Sequence, residues 1–201
     1  WQYEKYFENP LPKLGKVGKP LKEQHFHFDF NQFSNDCDIT GWLQSEKYFE
    51  DCKEEIKKQF KFNELGMLNR FAPVNSIAIS IRRGDYVNNP NYALLPISYY
   101  IGALLKEFPD YHNYNIIIFS DDMEYCKLHF ECLPNVNFAQ GNAIEQLCLA
   151  SLCDHFILAN STFSWWCGWL GEKEHSKVIK PNYHFGYEFG KINNAKDYYP
   201  E

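Results

Sequence analysis

From residue 76 onward the chain repeats one pattern, and that pattern constrains the fold more than anything else in the sequence. Residues 76–81 (SIAISI), 115–119 (NIIIF), 155–158 (HFIL) and 177–180 (KVIK) are short apolar runs. They are too short for helices and lack polar alternation, as strands buried on both faces do. Between them, residues 97–108, 122–131, 142–152 and 162–171 place apolar side chains three and four apart, and residues 136–138 read as one more short strand. Strands joined by helices pair in parallel, because a parallel crossover needs a dozen or more residues. The expectation for residues 73–201 is therefore an α/β fold with a Rossmann-like parallel sheet, helices on both faces.

Residues 1–72 have a different texture. Pro10, Pro12, Gly15, Gly18 and Pro20 alternate with lysines over residues 1–24 and read as a surface loop or lid. Residues 25–30 (HFHFDF) alternate like a half-buried strand, and residues 45–60 carry helical spacing with Ser45 as a cap. At 201 residues, with 45% hydrophobic and 23% charged residues, the chain suits one domain or two small ones and is not disordered. A net charge of −6 excludes a general nucleic-acid binder. No apolar run approaches the roughly 18 residues of a membrane span, and WQYEKYFENP lacks the regions of a signal peptide. The seven cysteines include no C-x-x-C pair, so they read as reduced core fillers and not as a disulfide or zinc framework. His25 and His27 share a strand face without a third metal ligand.

In open parallel sheets, ligands bind beyond the carboxyl ends of the strands. Three polar clusters fall there. Arg82-Arg83-Gly84-Asp85-Tyr86 follows the first strand, in a chain with three arginines in all. A guanidinium there can grip a phosphate through two parallel hydrogen bonds, or pair with Asp85 to anchor a loop. Successive strand residues face opposite ways, so one arginine enters the site. Ser120-Asp121-Asp122 follows the second strand; Asp122 either caps the next helix or holds a nucleoside hydroxyl or metal. Ala159-Asn160-Ser161-Thr162-Phe163-Ser164 precedes a tryptophan-rich helix. Its hydroxyls and N–H groups suit an anion, and helix capping competes for the same atoms. No Walker loop, G-x-G-x-x-G, G-x-S-x-G or H-E-x-x-H is present. Two phosphate-suited strand ends on one sheet suggest a nucleoside diphosphate, and a sugar nucleotide fits better than ATP.

Together these residues resemble the family 11 glycosyltransferases, the α-1,2-fucosyltransferases. The likeness rests on residues 80–86 (SIRRGDY), 119–122 (FSDD), 160–166 (NSTFSWW) and 41–49 (GWLQSEKYF), and it runs over residues 25–187. It implies the donor-binding half of a GT-B enzyme, with residues 1–72 as a partial acceptor-side segment and linking helix, and 73–201 as the GDP-sugar domain. The implied reaction moves L-fucose from GDP-β-L-fucose to the hydroxyl of a glycan acceptor, with inversion and without a metal or other cofactor. Arg82 would bind the β-phosphate. Asn160, Ser161, Thr162 and Phe163 would form the phosphate cradle. Glu145 would read guanine N1 and N2, and Asp122 would lie near the nucleoside. Asp85 is the candidate for a second catalytic role beside Arg82. Two departures stand out: Ser80 replaces the family's His, and the family's opening G-G-L-G-N-Q is missing. The rival readings are a transferase for another sugar or linkage, and a non-catalytic sugar-nucleotide or glycan-binding module. Free thiols and an excess of Lys over Arg fit a bacterial cytoplasm, with peripheral membrane association left open.

Overall fold

The computed structural model describes residues 2–10, 15, 18–24, 26–29, 37–63 and 73–198. Its centre is Ser76–Ile81 (β3), a strand buried along its whole length. On the odd positions, Ile77, Ile79 and Ile81 meet Tyr100 and Leu104 of the helix Ile97–Glu107 (α2), Phe108 at its end, and Cys126 and Phe130 of Met123–Phe130 (α3). On the even side, Ala78 meets residues on or beside Ala143–Ser151 (α4) and Thr162–Gly171 (α5), including Ala150 and Cys167. The same parity holds in Asn115–Ser120 (β4), where Ile116 and Ile118 face one helix layer and Ile117 and Phe119 the other. Fully burying each of these aliphatic side chains contributes about 1.5–3 kcal/mol. Burial on both faces explains the continuous apolar runs.

Val136–Phe138 (β5), His155–Ile157 (β6) and Val178–Ile179 (β7) complete a five-stranded sheet in the order β5-β4-β3-β6-β7, every neighbour parallel. Chain progress runs outward from β3 to β5, then returns to the other side of β3 for β6 and β7. This is the Rossmann-like arrangement, and the order reverses between β3 and β6. Side chains after β3 and β6 therefore look into the crevice where such sheets take their ligands.

The first third departs from the sequence expectations in three places. Residues 1–24 are not all surface loop. Tyr6 and Phe7 are buried against Phe62, Ile144 and Cys148, which fastens the N-terminal segment to the outside of α4. Lys19–Lys22 (β1) pairs in parallel with Cys37–Thr40 (β2). Residues 26–29 form no strand, and His25 and Phe30 lie outside the described residues. Their alternation marks two aromatic anchors. Phe26 packs edge-on against Phe185 at 4.7 Å, and Phe28 packs against Tyr48 at 4.8 Å while donating its N–H to Asp197.

The single helix expected over residues 45–60 is broken. Two short 3-10 turns, Glu46–Tyr48 and Glu50–Cys52, precede the helix Lys53–Gln59 (α1). Phe49 leaves the helical region (φ −143°, ψ 17°) and turns its ring among Trp165, Trp166 and Trp169 of α5. Packing among those indoles outweighs helix continuity. The indole N–H of Trp169 donates to Glu46 at 2.8 Å, locking the same segment to α5. After β7, Phe185 bridges to Tyr92 and leads into a short helix, Tyr187–Gly190 (α6).

Candidate active site

Strand parity carries the two arginines apart. Arg82 continues the Ala78–Ser80 face toward α5; Arg83 continues the Ile79–Ile81 face toward α3. Arg83 donates from Nε to Asp122 at 2.9 Å, and its guanidinium lies 3.5 Å from the centre of the Tyr125 ring. Asp122 also caps α3 by accepting the Tyr125 N–H. The Arg83 hydrogen bond, chief among the causes, holds the Asp122 carboxyl below the usual range. Arg83 and Asp122 thus form one anchoring unit on the α3 side.

Arg82 faces the crevice. It pairs with Asp85 through one terminal nitrogen and with Asp121 through the other, at 2.9 Å. Asp121 is fixed from behind by the Arg83 N–H at 2.9 Å. Asp85 makes the shorter contact, 2.5 Å, and is the more exposed partner, its side chain 57% exposed against 28% for Asp121. Gly84 leaves room for the Asp121 carboxylate, which a Cβ there would push aside.

Opposite Arg82 stands the N-terminus of α5. Ser161 caps it, its hydroxyl accepting the Ser164 N–H at 3.2 Å. The hydroxyls of Ser80, Ser164 and Ser161 run in a buried chain, 2.7 Å and 2.9 Å apart, and tie β3 to α5. Ser80 is therefore a bracket between strand and helix. The N–H groups of Thr162 and Phe163 belong to the first helical turn, where N–H groups point outward unpaired by the helix. Thr162 also accepts from Gln44 at 2.9 Å. Asn160 is 1% exposed. Its amide donates to the carbonyls of Ala93 and His184, and its own carbonyl accepts from Tyr86. It braces the cleft from beneath. Burial pushes the Tyr86 phenol up to about 12, so it stays a neutral donor.

Two clefts meet at this point. The smaller, about 330 Å³, runs over Ser80, Phe119, Ser120, Asp121 and Gln146. The larger, about 640 Å³, is lined by Asp85, Tyr86, Thr162 and an aromatic wall that includes Phe26, Trp42 and Phe185. Arg82, Ser161 and Phe163 line both. His184, also on the larger cleft, has a buried Nδ1 with no hydrogen-bond partner among the described residues. Burial lowers its pKa to about 4.

Of the residues singled out from sequence, the structure gathers Arg82, Asp85, Ser161, Thr162 and Phe163 around the crevice. Asn160 lies beneath it, and Asp122 faces Arg83. Glu145 sits in the first turn of α4, where its carboxylate accepts the Asn142 N–H at 2.9 Å and completes a capping box. Its neighbour Gln146 is the α4 side chain with Ala143 on the smaller cleft. Asp121, Gln44, Trp42 and His184 join the site without having been assigned to it. The pairing of Asp121 was within reach, since one carboxylate caps α3 and the other is left for the arginine. Nothing local to His184 announces its place. Among the described residues no three potential metal ligands cluster, and no helix is long and apolar enough to cross a membrane.

The family model for glycosyl transferase family 11 matches residues 1–199. An α-1,2-colitosyltransferase of Escherichia coli is 30% identical over 188 residues, 86% of this chain and 65% of the relative. The O-antigen biosynthesis glycosyltransferase WbnK of Escherichia coli is 29% identical over 178 residues, 76% of this chain and 59% of the relative. A galactoside 2-alpha-L-fucosyltransferase, Sec1 of Mus musculus, is 25% identical over 152 residues, 66% of this chain and 41% of the relative. The chain spans 65% or less of the length of these relatives.

Proposed function

Because the chain belongs to glycosyl transferase family 11, we propose that it transfers L-fucose from GDP-β-L-fucose to a sugar hydroxyl in α-1,2 linkage, as the donor half of a GT-B enzyme. One observation carries the reading: Arg82 and the α5 terminus are shared by two clefts at the point where the strand order reverses. A sugar nucleotide has that shape, with a diphosphate between two bulkier ends. The nucleoside takes the smaller cleft, and the sugar and its acceptor take the larger.

The chemistry follows from charge. As the anomeric C–O bond breaks, its electron pair goes to the β-phosphate oxygen of departing GDP. Arg82 and the N–H groups of Thr162 and Phe163 stabilise that growing charge, with the Ser161 hydroxyl beside them. A metal is not needed in this scheme, since the guanidinium supplies the cation. Before donor binds, Asp85 and Asp121 share Arg82, one on each terminal nitrogen. Asp121 is held by the backbone, so the phosphate displaces Asp85. Freed of its cation, Asp85 takes the proton of the acceptor hydroxyl as that oxygen bonds the anomeric carbon from the opposite face. In this scheme Glu145 reads the guanine, with its Oε2 also accepting the Asn142 N–H. Seven cysteines without a C-x-x-C pair support a reducing, cytoplasmic setting in a bacterium, working on a surface glycan.

A second donor has specific support: the 30% identical relative is named for colitose and not fucose. The test is calorimetric titration of GDP, followed by acceptor-dependent GDP release from GDP-fucose and from GDP-colitose. Binding of GDP with release from GDP-fucose is the expected result. Release from GDP-colitose alone changes the donor; binding without release makes the chain a sugar-nucleotide-binding module.

A further inference from the structure

Most of the described tryptophans serve packing. Trp165, Trp166 and Trp169 stack on one another and on Phe49, with ring centroids 5.0–6.4 Å apart. Trp42 does not. It is 68% exposed at the rim of the larger cleft.

Its position is built. Glu23, just past β1, accepts the N–H of Trp42 at 2.7 Å and of Leu43 at 3.1 Å through one carboxylate oxygen. Leu43 is driven to φ 47°, a conformation that branched, bulky side chains rarely adopt. A Cβ at Gly41 would collide with the Glu23 side chain. The turn thus accepts backbone strain to lift an indole into solvent, where it gains no burial. Strain of this kind is kept where it serves a ligand. One ring edge is steadied by Phe26 at 6.4 Å, and Phe26 is backed by Phe185. Two residues on, Gln44 bonds Thr162 at the N-terminus of α5, so the turn is held in register with the phosphate end.

We infer that Trp42, backed by Phe26, is the platform for a pyranose ring of the glycan acceptor. The occupant needs one apolar face for the indole and hydroxyls directed at Asp85 across the same cleft. A pyranoside meets both demands: its axial C–H bonds carry partial positive charge toward the ring's negative face, and its hydroxyls form the rim. A nucleobase would also stack on an indole. It is disfavoured because the smaller cleft, on the other side of Arg82, offers Ser80, Ser120 and Gln146 for a nucleoside. This assignment rests on the transferase reading for its acceptor, and its test is chosen to fail separately.

Lactose serves as the probe galactoside, followed by saturation-transfer NMR on the purified protein, which needs no turnover. The native protein is expected to give saturation transfer to the galactose ring protons. Trp42→Ala should remove it, and Trp42→Phe should restore most of it. In steady-state transfer, Trp42→Ala should raise the lactose KM at least tenfold with kcat within threefold and GDP affinity within twofold. Lactose signals unchanged in Trp42→Ala overturn the platform. A tenfold loss of GDP affinity in Trp42→Ala also overturns it, by putting the base on the indole. Trp42-dependent lactose binding without transfer upholds the platform and removes the transferase reading instead.

Discussion

On the α5 side of the β3 strand end, Arg82 pairs with two carboxylates, keeps its side chain 35% exposed and lines both clefts. On the α3 side, Arg83 is 17% exposed, bonded to the α3 cap Asp122 and laid on Tyr125. The two residues are adjacent and chemically identical. Their uses differ because a strand alternates its side chains, and because the two helix layers offer different partners: an anchored aromatic and cap on one side, an open helix terminus on the other. The α5 side holds polar groups whose hydrogen bonds are committed to cleft geometry. The α3 side uses comparable groups to hold the fold.

The largest effect that would sharpen this contrast is Asn160→Ala. It strips the donors from two half-buried carbonyls, those of Ala93 and His184. A loss of about 4 kcal/mol in urea unfolding is expected, from about 1–3 kcal/mol for each stranded group plus the cavity. A loss below about 1 kcal/mol would mean that the cleft floor is not braced there.

Next comes acid. His184 has its folded pKa lowered to about 4 from an ordinary 6.5 by burial. Between those values the unfolded chain binds the proton and the folded one does not, so stability falls as pH drops from 6.5 to 4. The full difference is about 3 kcal/mol. On the α3 side the sign is the same and the window lower: Asp122 is held below the ordinary 3.8, and its contribution goes only as pH falls under that value. Unfolding free energies of native protein and His184→Phe, measured at pH 7, 5.5 and 4.5, should converge as pH falls. Parallel profiles would contradict a buried neutral imidazole.

A smaller loss is expected from Arg83→Lys. It keeps the charge and forfeits the planar contact with Tyr125 and the Nε geometry to Asp122, at about 1–2 kcal/mol of stability. Thermal unfolding should register it while GDP affinity stays within threefold. Unchanged stability with weakened GDP would reverse the roles of the two sides.

Much of this was legible in the chain. The apolar runs gave the sheet because burial on both faces leaves a continuous hydrophobic signature. The divergence of Arg82 and Arg83 follows from strand periodicity alone. Other features were not legible. Phe49 breaks the helix expected over residues 45–60 because its ring is needed among three tryptophans distant in sequence, which no local spacing reveals. The alternation around Phe26 and Phe28 imitates a strand but marks two separate packing sites. His184 reaches the cleft through a loop whose course is set by carbonyl contacts, and loops of that kind carry no periodic signal.

The central claim is that Arg82 holds the β-phosphate and Arg83 holds the fold. The ratio of GDP to GMP affinity tests it most directly, since the two ligands differ by that phosphate. Arg82→Lys should lower GDP affinity by roughly tenfold to a hundredfold, about 1.5–3 kcal/mol, and leave GMP almost unchanged. Arg83→Lys should leave the ratio where the native protein has it. A ratio preserved in Arg82→Lys and collapsed in Arg83→Lys would contradict the account.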